Sequence, residues 1–147
     1  MSKFNGIPLL SIDFGTQVVG MATYTPGRDP FVLLAGKIIF KSEDQVIDEI
    51  YLKVQDECIE AVILGIPYFT DGTESKMTLK VKKFGEKLSL KLGKTPLYHQ
   101  DETLSTIEAE ERMLKDPRFN FQVDPKRIDE LSASIILEDF IQRNALE

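Results

Sequence analysis

Five short stretches rich in apolar residues are separated by polar segments, and they predict the five strands of a sheet. Two are almost continuously apolar, the run that ends at Asp13 and the run AVILGI from Ala61 to Ile66. Such runs are typical of central strands that are buried on both faces. The other three predicted strands are Gly20 to Thr25, Phe31 to Phe40 and Thr95 to His99.

Apolar residues at three- and four-residue spacing predict two helices between these strands. The first begins at Ser42, where Ser42 and Gln45 fit a capping box, and its buried face includes Cys58. The second runs from about Ser75 to Leu92 and carries two stripes on neighbouring faces. One stripe is apolar: Met77, Val81, Phe84, Leu88 and Leu92.

Two further helices follow the last strand. Ser105 and Glu108 fit a capping box for a helix that ends at Lys115. Asp124 and Pro125 then fit the N-cap and the first turn of the final helix. The loop between the two helices contains Phe119 and Phe121, which would either pin the loop to the core or stack on bases.

The order of these elements predicts a mixed α/β sheet. Three successive strands with short connections favour an antiparallel meander, whereas strand, helix and strand imply a parallel crossover. The length of 147 residues, without repeats or linkers, predicts one domain over residues 1–147.

The composition limits which metal sites the chain can form and where in the cell it is expected. One cysteine, Cys58, excludes an intramolecular disulfide, and a single histidine leaves no zinc-type cluster, so any metal would be bound by oxygen. A net charge of −6 argues against a protein that coats nucleic acid with its whole surface. With no apolar run long enough to cross a bilayer and no signal-like pattern at Met1 to Gly6, we expect a cytoplasmic protein.

Three acids from distant parts of the chain are predicted to meet at one edge of the sheet. Asp13 ends the first strand, Asp101 and Glu102 follow the last one, and Asp129 shares a helix face with small and apolar residues. The carboxyl ends of parallel strands form the ligand-binding edge of an open sheet. Gathered carboxylates repel one another unless a divalent cation neutralises them, and oxygen ligands suit Mg²⁺ or Mn²⁺. The chemistry indicated is phosphodiester hydrolysis.

The second stripe of the Ser75 to Leu92 helix is basic. Seven of the 18 basic residues lie between Ser75 and Lys94, and four of them are candidates to contact a nucleic-acid backbone: Lys76, Lys80, Lys83 and Lys87. A solvated lysine face, which many helices have, explains the stripe equally well.

Four motifs resemble the signatures of the YqgF family in order and spacing. They are DFGTQVVGMA from Asp13, GIPYFTDGT from Gly65, DETLST from Asp101 and DELSASIIL from Asp129. The family consists of bacterial Holliday-junction-resolvase-like proteins described as pre-16S rRNA nucleases. The resemblance implies a ribonuclease H-like fold with strand order 3-2-1-4-5, strand 2 antiparallel, and helices on both faces.

By the same resemblance, Asp13, Glu102 and Asp129 are the catalytic metal ligands, and the substrate is structured RNA or branched DNA. The chain departs from the family where basic residues are usual: it has Gln17, Val18 and Thr103 there, and Ser132 replaces an alanine. Each missing cation could have held a phosphate, so weak substrate affinity is expected.

Two other functions fit parts of the same sequence. A non-catalytic module on this fold would bind RNA or protein through the lysine helix or an apolar edge, since fold does not decide function. The Asp-x-Gly opening also occurs in actin-like ATPases and sugar kinases, but those need two such domains around the nucleotide. Divalent-cation binding that Asp13→Asn abolishes would separate the enzyme from the binding module.

Overall fold

The computed structural model describes residues 3–144, which form a five-stranded sheet in the order β3-β2-β1-β4-β5. β2 is antiparallel to β1 and β3, whereas β4 is parallel to both β1 and β5. This arrangement confirms the predicted mixed sheet and its strand order. The strands are β1 (Leu9–Asp13), β2 (Val18–Tyr24), β3 (Leu33–Ile39), β4 (Ala61–Ile66) and β5 (Leu97–Asp101).

Four helices cover the two faces of the sheet, as predicted. α1 and α2 pack on one face, α4 packs on the other, and α3 packs against α4 together with a 3-10 turn. No helix within residues 3–144 is both long and apolar enough to cross a membrane. The helices are α1 (Glu43–Asp56), α2 (Lys76–Leu92), α3 (Ser105–Leu114) and α4 (Ile128–Asn144), and the 3-10 turn is Pro117–Phe119.

β1 lies at the centre of the sheet, and its side chains alternate between the two layers of helices. Leu10 and Ile12 face α1 and α2, whereas Leu9 lies in the core beneath α4. Ser11 points the same way as Leu9 and donates a hydrogen bond to the carbonyl of Ala133 at 2.6 Å. Since successive side chains of a strand point to opposite faces, Asp13 projects toward α4.

Local capping signals succeeded at one helix and failed at another. The predicted capping box of α1 is present, with the backbone N–H of Gln45 donating a hydrogen bond to the Ser42 hydroxyl at 3.1 Å. The capping box predicted from Ser105 and Glu108 is wrong, because the N-cap is Leu104 and no side chain caps α3. The Ser105 N–H donates to the Glu102 carbonyl at 2.9 Å. That tight turn moves Ser105 into the helix.

Several element boundaries also differ from the prediction: β2 begins two residues earlier than expected and β3 two residues later. β5 begins and ends two residues later than expected, which carries Asp101 into the strand. α4 begins at Ile128, whereas the predicted cap, Asp124, stabilises the turn before it by accepting from the Lys126 N–H at 2.9 Å. The acid therefore caps a turn that leads into the helix, with Pro125 inside that turn.

The prediction that Cys58 is a core residue is wrong. α1 ends at Asp56, and Cys58 follows in a left-handed conformation, with φ of 54°, that leaves it exposed. Helical periodicity no longer sets the direction of a side chain beyond the helix end, and Ile59 is buried nearby instead. Met77, assigned to the apolar stripe of α2, is likewise exposed.

Candidate metal and nucleic-acid site

A row of residues crosses the sheet beneath the N-terminal half of α4. Asp13 pairs with Gly20 on β2, and Gly20 pairs with Lys37 on β3. On the other side, Gly65 continues β4 beside Asp13 and pairs with Gln100 on β5. Glycine therefore flanks Asp13 on both sides, which leaves room above the sheet for groups from other elements.

The two glycines are required by close approaches from above. A Cβ atom on Gly20 would lie 2.1 Å from the carbonyl oxygen of Asp129, so only glycine lets the start of α4 rest on β2. A Cβ atom on Gly65 would lie 3.1 Å from Cδ of Glu102 and 2.5 Å from Cδ1 of Ile136. Gly65 thus lets the Glu102 side chain lie over the end of β4.

These approaches bring the three predicted acids to one crevice at the carboxyl edge of the sheet. Asp13 ends β1, Glu102 directly follows β5 and Asp129 lies in the first turn of α4, and all three are partly buried. The Asp13 and Glu102 carboxyl groups hydrogen-bond to each other, and the charge of Asp129 raises the pKa of Asp13. Within residues 3–144, however, no three acidic, histidine or cysteine side chains form a preassembled metal-binding group.

The structure distinguishes between the two adjacent acids after β5. Asp101 is exposed, and its Oδ1 accepts a hydrogen bond from the Thr103 N–H at 2.8 Å, so it caps the turn. The Glu102 N–H donates to the Ile66 carbonyl at 3.1 Å, and its side chain points into the crevice toward Asp13. Glu102 is therefore the acid that shares the site with Asp13.

Burial raises the pKa of each acid, and repulsion from a neighbouring carboxylate adds to it. Burial, followed by the charge of Asp13, raises the pKa of Glu102 to about 10. Burial raises the pKa of Asp13 to about 6, although the hydrogen bond with Glu102 opposes that shift. Burial also raises the pKa of Asp129, and the charge of Lys37 partly offsets it. The raised pKa of Glu102 favours its protonated form, whose O–H would donate a hydrogen bond to the Asp13 carboxylate.

Within residues 3–144, three buried polar oxygens without partners lie close to Glu102 or Asp129 along the chain. Among the described residues, the buried side-chain atoms that lack a hydrogen-bond partner are Gln100 Oε1, Ser105 Oγ and Ser132 Oγ. Each lies within three residues of Glu102 or Asp129 along the chain. Unpaired buried oxygens are costly unless water or an ion satisfies them. Water molecules or a hydrated cation near the acids would satisfy these oxygens.

Sequence comparison finds relatives along almost the whole chain. Residues 8–143 match the family described as RuvX: Holliday junction resolvase. The chain belongs to the RuvX family. A "Putative pre-16S rRNA nuclease" of Coxiella burnetii (strain CbuK_Q154) is 32% identical over 143 residues, which cover 94% of each chain. The protein of the same name from Enterobacter sp. (strain 638) is 36% identical over 138 residues, 92% of this chain and 96% of that one.

Solved structures confirm the ribonuclease H-like fold of this RuvX family member. Thermus thermophilus RuvC, in a complex with a Holliday junction substrate, matches with a TM-score of 0.60 over 93% of this chain and 96% of that chain, at 13% identity. The fowlpox virus Holliday junction resolvase matches with a TM-score of 0.56 over 93% and 99%, at 12% identity. Family membership confirms the predicted enzyme class, a nuclease acting on nucleic acid, and no comparison favours the non-catalytic module.

The donor set of the RuvX site fits a divalent cation of the Mg²⁺ or Mn²⁺ type. Three carboxylates supply hard oxygen ligands, and such ions retain several waters that need hydrogen-bond acceptors or donors around them. The unpaired oxygens of Gln100 and Ser132 lie on the elements that carry the acids. Ser132, which stands where the family usually has an alanine, is a buried hydroxyl three residues after Asp129 in α4.

The α2 lysines do not lie against this site. Lys76, Lys80, Lys83 and Lys87 are exposed on a helix that packs on the face of the sheet opposite α4. Lys87 lies 3.4 Å from the Glu43 carboxylate of α1, so part of the stripe is neutralised within the protein.

The cation that acts on Asp129 is Lys37, whose Nζ donates to the carbonyl of Lys126 at 2.8 Å. The role of Lys37 was not predicted from the sequence. Its one available signal was a single charge within the apolar stretch FVLLAGKIIF.

Proposed function

We propose that this RuvX family member is a divalent-metal-dependent nuclease that processes structured RNA of the pre-16S rRNA class in the cytoplasm. One domain over residues 1–147 would carry the whole activity. The observation that carries the proposal is the hydrogen-bonded Asp13 and Glu102 pair at the end of the central strand, beside Asp129. Two buried carboxyls that share one proton form a charge arrangement that a cation can stabilise.

Asp13, Glu102 and Asp129 would hold Mg²⁺ or Mn²⁺. When bound, such an ion neutralises charge on the phosphodiester and lowers the pKa of an attacking water. Glu102 would release its proton to become a ligand, and the nearby Gln100 and Ser132 oxygens would hold water molecules in place. Lys37 would balance the charge of Asp129 from the other side.

The sequence identity to relatives named as pre-16S rRNA nucleases favours RNA over branched DNA as the substrate. Those named as pre-16S rRNA nucleases share 32% and 36% identity with this chain, whereas RuvC with its Holliday junction shares 13% and so supports only the fold. The exposed lysines Lys76, Lys80, Lys83 and Lys87 would contact the RNA backbone. The uncharged Gln17, Val18 and Thr103 predict that these contacts are few and the affinity modest.

Cleavage assays with matched substrates and variants test this proposal. Wild-type protein with Mn²⁺ should cut an RNA hairpin carrying a single-stranded 5′ extension faster than a four-way DNA junction of equal length. Asp129→Asn should reduce cleavage by about a hundredfold, on the scale of losing one group that stabilises transition-state charge. Asp101→Asn is the matched control, because it neutralises an exposed acid adjacent to Glu102.

Three results would contradict the proposal. Equal losses in Asp101→Asn and Asp129→Asn would show that the assignment of the crevice acids is wrong. Faster cleavage of the junction would overturn the RNA assignment. Failure to cut any substrate, together with divalent-cation binding that Asp13→Asn leaves unchanged, would favour the non-catalytic module.

A further inference from the structure

A second groove lies between the edge strand β3 and helix α4, apart from the carboxyl crevice. Its volume is about 520 Å³, and its lining includes the apolar residues Leu34 and Leu131. Arg112 from α3, Arg118 from the 3-10 turn and Arg127 from the turn before α4 also line it. Three of the five arginines in the sequence therefore lie along one groove of an acidic protein.

The three arginines differ in how much of their charge is already neutralised. Arg118 pairs with Asp116 at 2.7 Å, and Arg112 pairs with Glu138 at 2.6 Å. Arg127 takes part in none of the ion pairs formed within residues 3–144, and its guanidinium lies 5.3 Å from the centre of the Phe119 ring. Arg127 is exposed, so its charge is available to an anion from outside.

An exposed aromatic ring lies along the same groove. Phe31 is 62% exposed, whereas Phe119, also in the lining, is buried in the core between α3 and α4. An accessible ring and an unpaired positive charge in the lining of one groove are the groups that bind single-stranded nucleic acid, since bases stack on the ring and phosphates contact the cation. Bases within a duplex are already stacked and cannot reach such a ring.

From the shared groove we propose that the β3–α4 groove binds an unpaired segment of the substrate, with Phe31 stacking on a base and Arg127 contacting a phosphate of the same strand. This inference rests on the proposed function, because it assigns a substrate segment to the same enzyme. Arg127, which lines the groove, lies two residues before Asp129 of the carboxyl crevice. Two residues of backbone span at most about 7 Å between their Cα atoms. That separation is about the length of one nucleotide, so an unpaired strand bound at the crevice would extend far enough to reach Arg127.

Binding without divalent ions tests the groove separately from cleavage. Fluorescence anisotropy would compare a labelled 20-nucleotide oligouridine with an RNA duplex of the same length, at several salt concentrations. Arg127→Glu should weaken binding of the single strand by about tenfold. The dependence of log affinity on log salt concentration should also become shallower, by the amount expected for the loss of about one phosphate contact. Phe31→Ala should weaken single-strand binding about fivefold or more and leave duplex binding within twofold.

Arg143→Glu is the matched control. It reverses an exposed arginine on the last turn of α4, about 20 Å from Asp129 along the helix, and should bind within twofold of wild type. Both groove residues are exposed, and circular dichroism melting of each variant would verify that it is folded.

The groove assignment is overturned if both groove variants bind oligouridine as the Arg143→Glu control does. It is also overturned if Phe31→Ala weakens single-strand and duplex binding equally. Polyglutamate that displaces oligouridine from wild type at equal charge concentration would identify the groove as a site for an acidic protein segment instead. Groove-dependent binding by a protein that cuts no substrate would refute the proposed nuclease function while the groove assignment stands.

Discussion

Replacing Glu102 by glutamine should remove a pH dependence of stability that the metal-free protein owes to one buried proton. In the folded protein, burial and Asp13 raise the pKa of Glu102 to about 10, from an ordinary value of 4.5. The folded protein therefore binds one proton more than the unfolded chain between those two pH values. Stability is greatest below the unfolded pKa and falls as pH rises toward the folded one.

The size of the effect follows from the number of protons. One extra bound proton corresponds to a loss of about 1.4 kcal/mol in the free energy of unfolding per pH unit. From pH 7 to pH 9 the loss should be about 3 kcal/mol in the wild-type protein. This interval lies above the pKa of Asp13, which is about 6, and above that of His99, which burial lowers from 6.5. Neither group then obscures the slope.

Urea unfolding in EDTA, followed by circular dichroism because the chain has no tryptophan, gives the free energy at pH 7, 8 and 9. Glutamine can still donate a hydrogen bond to Asp13 but does not titrate, so Glu102→Gln should show a nearly flat profile. Glu110→Gln, which removes an exposed acid of α3, should keep the wild-type slope. A wild-type profile that is flat from pH 7 to 9, or a Glu102→Gln profile as steep as wild type, would refute the shared-proton arrangement.

Three further predictions follow from the same geometry. Mn²⁺ affinity should rise about tenfold per pH unit between pH 7 and 9, because Glu102 would have to lose its proton to bind the ion. Titration calorimetry in two buffers of different ionisation enthalpy should show one proton released per bound ion, and no released proton would contradict this. Gly20→Ala should cost about 3 kcal/mol or more in urea unfolding, because the new Cβ meets the Asp129 backbone at 2.1 Å; an unchanged midpoint would mean that α4 does not rest on β2. Cys58→Gly should raise the free energy of unfolding by about 0.5 to 1 kcal/mol by relieving its left-handed backbone, whereas Cys58→Ala should not; equal effects of the two changes would contradict the explanation.

Features that depend on neighbouring residues could be predicted from the sequence. Continuous apolar runs identified the buried central strands, and the run from Ala61 to Ile66 has the predicted bounds. The capping box at Ser42 needs only a hydroxyl and a glutamine three residues later, both supplied locally. The same dependence on neighbours explains the failure at Ser105, where a turn closed by Glu102 set the start of the helix.

Features that depend on pairing between distant segments were decided only by the tertiary structure. Strand order sets which strand ends meet, so the sequence predicted that Asp13, Asp129 and the pair Asp101 and Glu102 lie at one edge. The choice between Asp101 and Glu102 depends on which side chain the turn directs over Gly65, and the sequence does not specify it.

The residues around the acids show the same division between sequence and structure. The sequence by itself determined which segments form strands and helices, because hydrophobic burial and capping act over a few residues. It also showed that acids lie at the end of a buried strand and on the apolar face of a helix. Only the folded sheet placed Lys37 in the same row as Asp13, with Gly20 between them, and only the approach of α4 made Gly20 a requirement. Contacts between segments far apart in the chain set the cross-strand register and the close approaches of the backbone. These features therefore cannot be predicted from the local sequence.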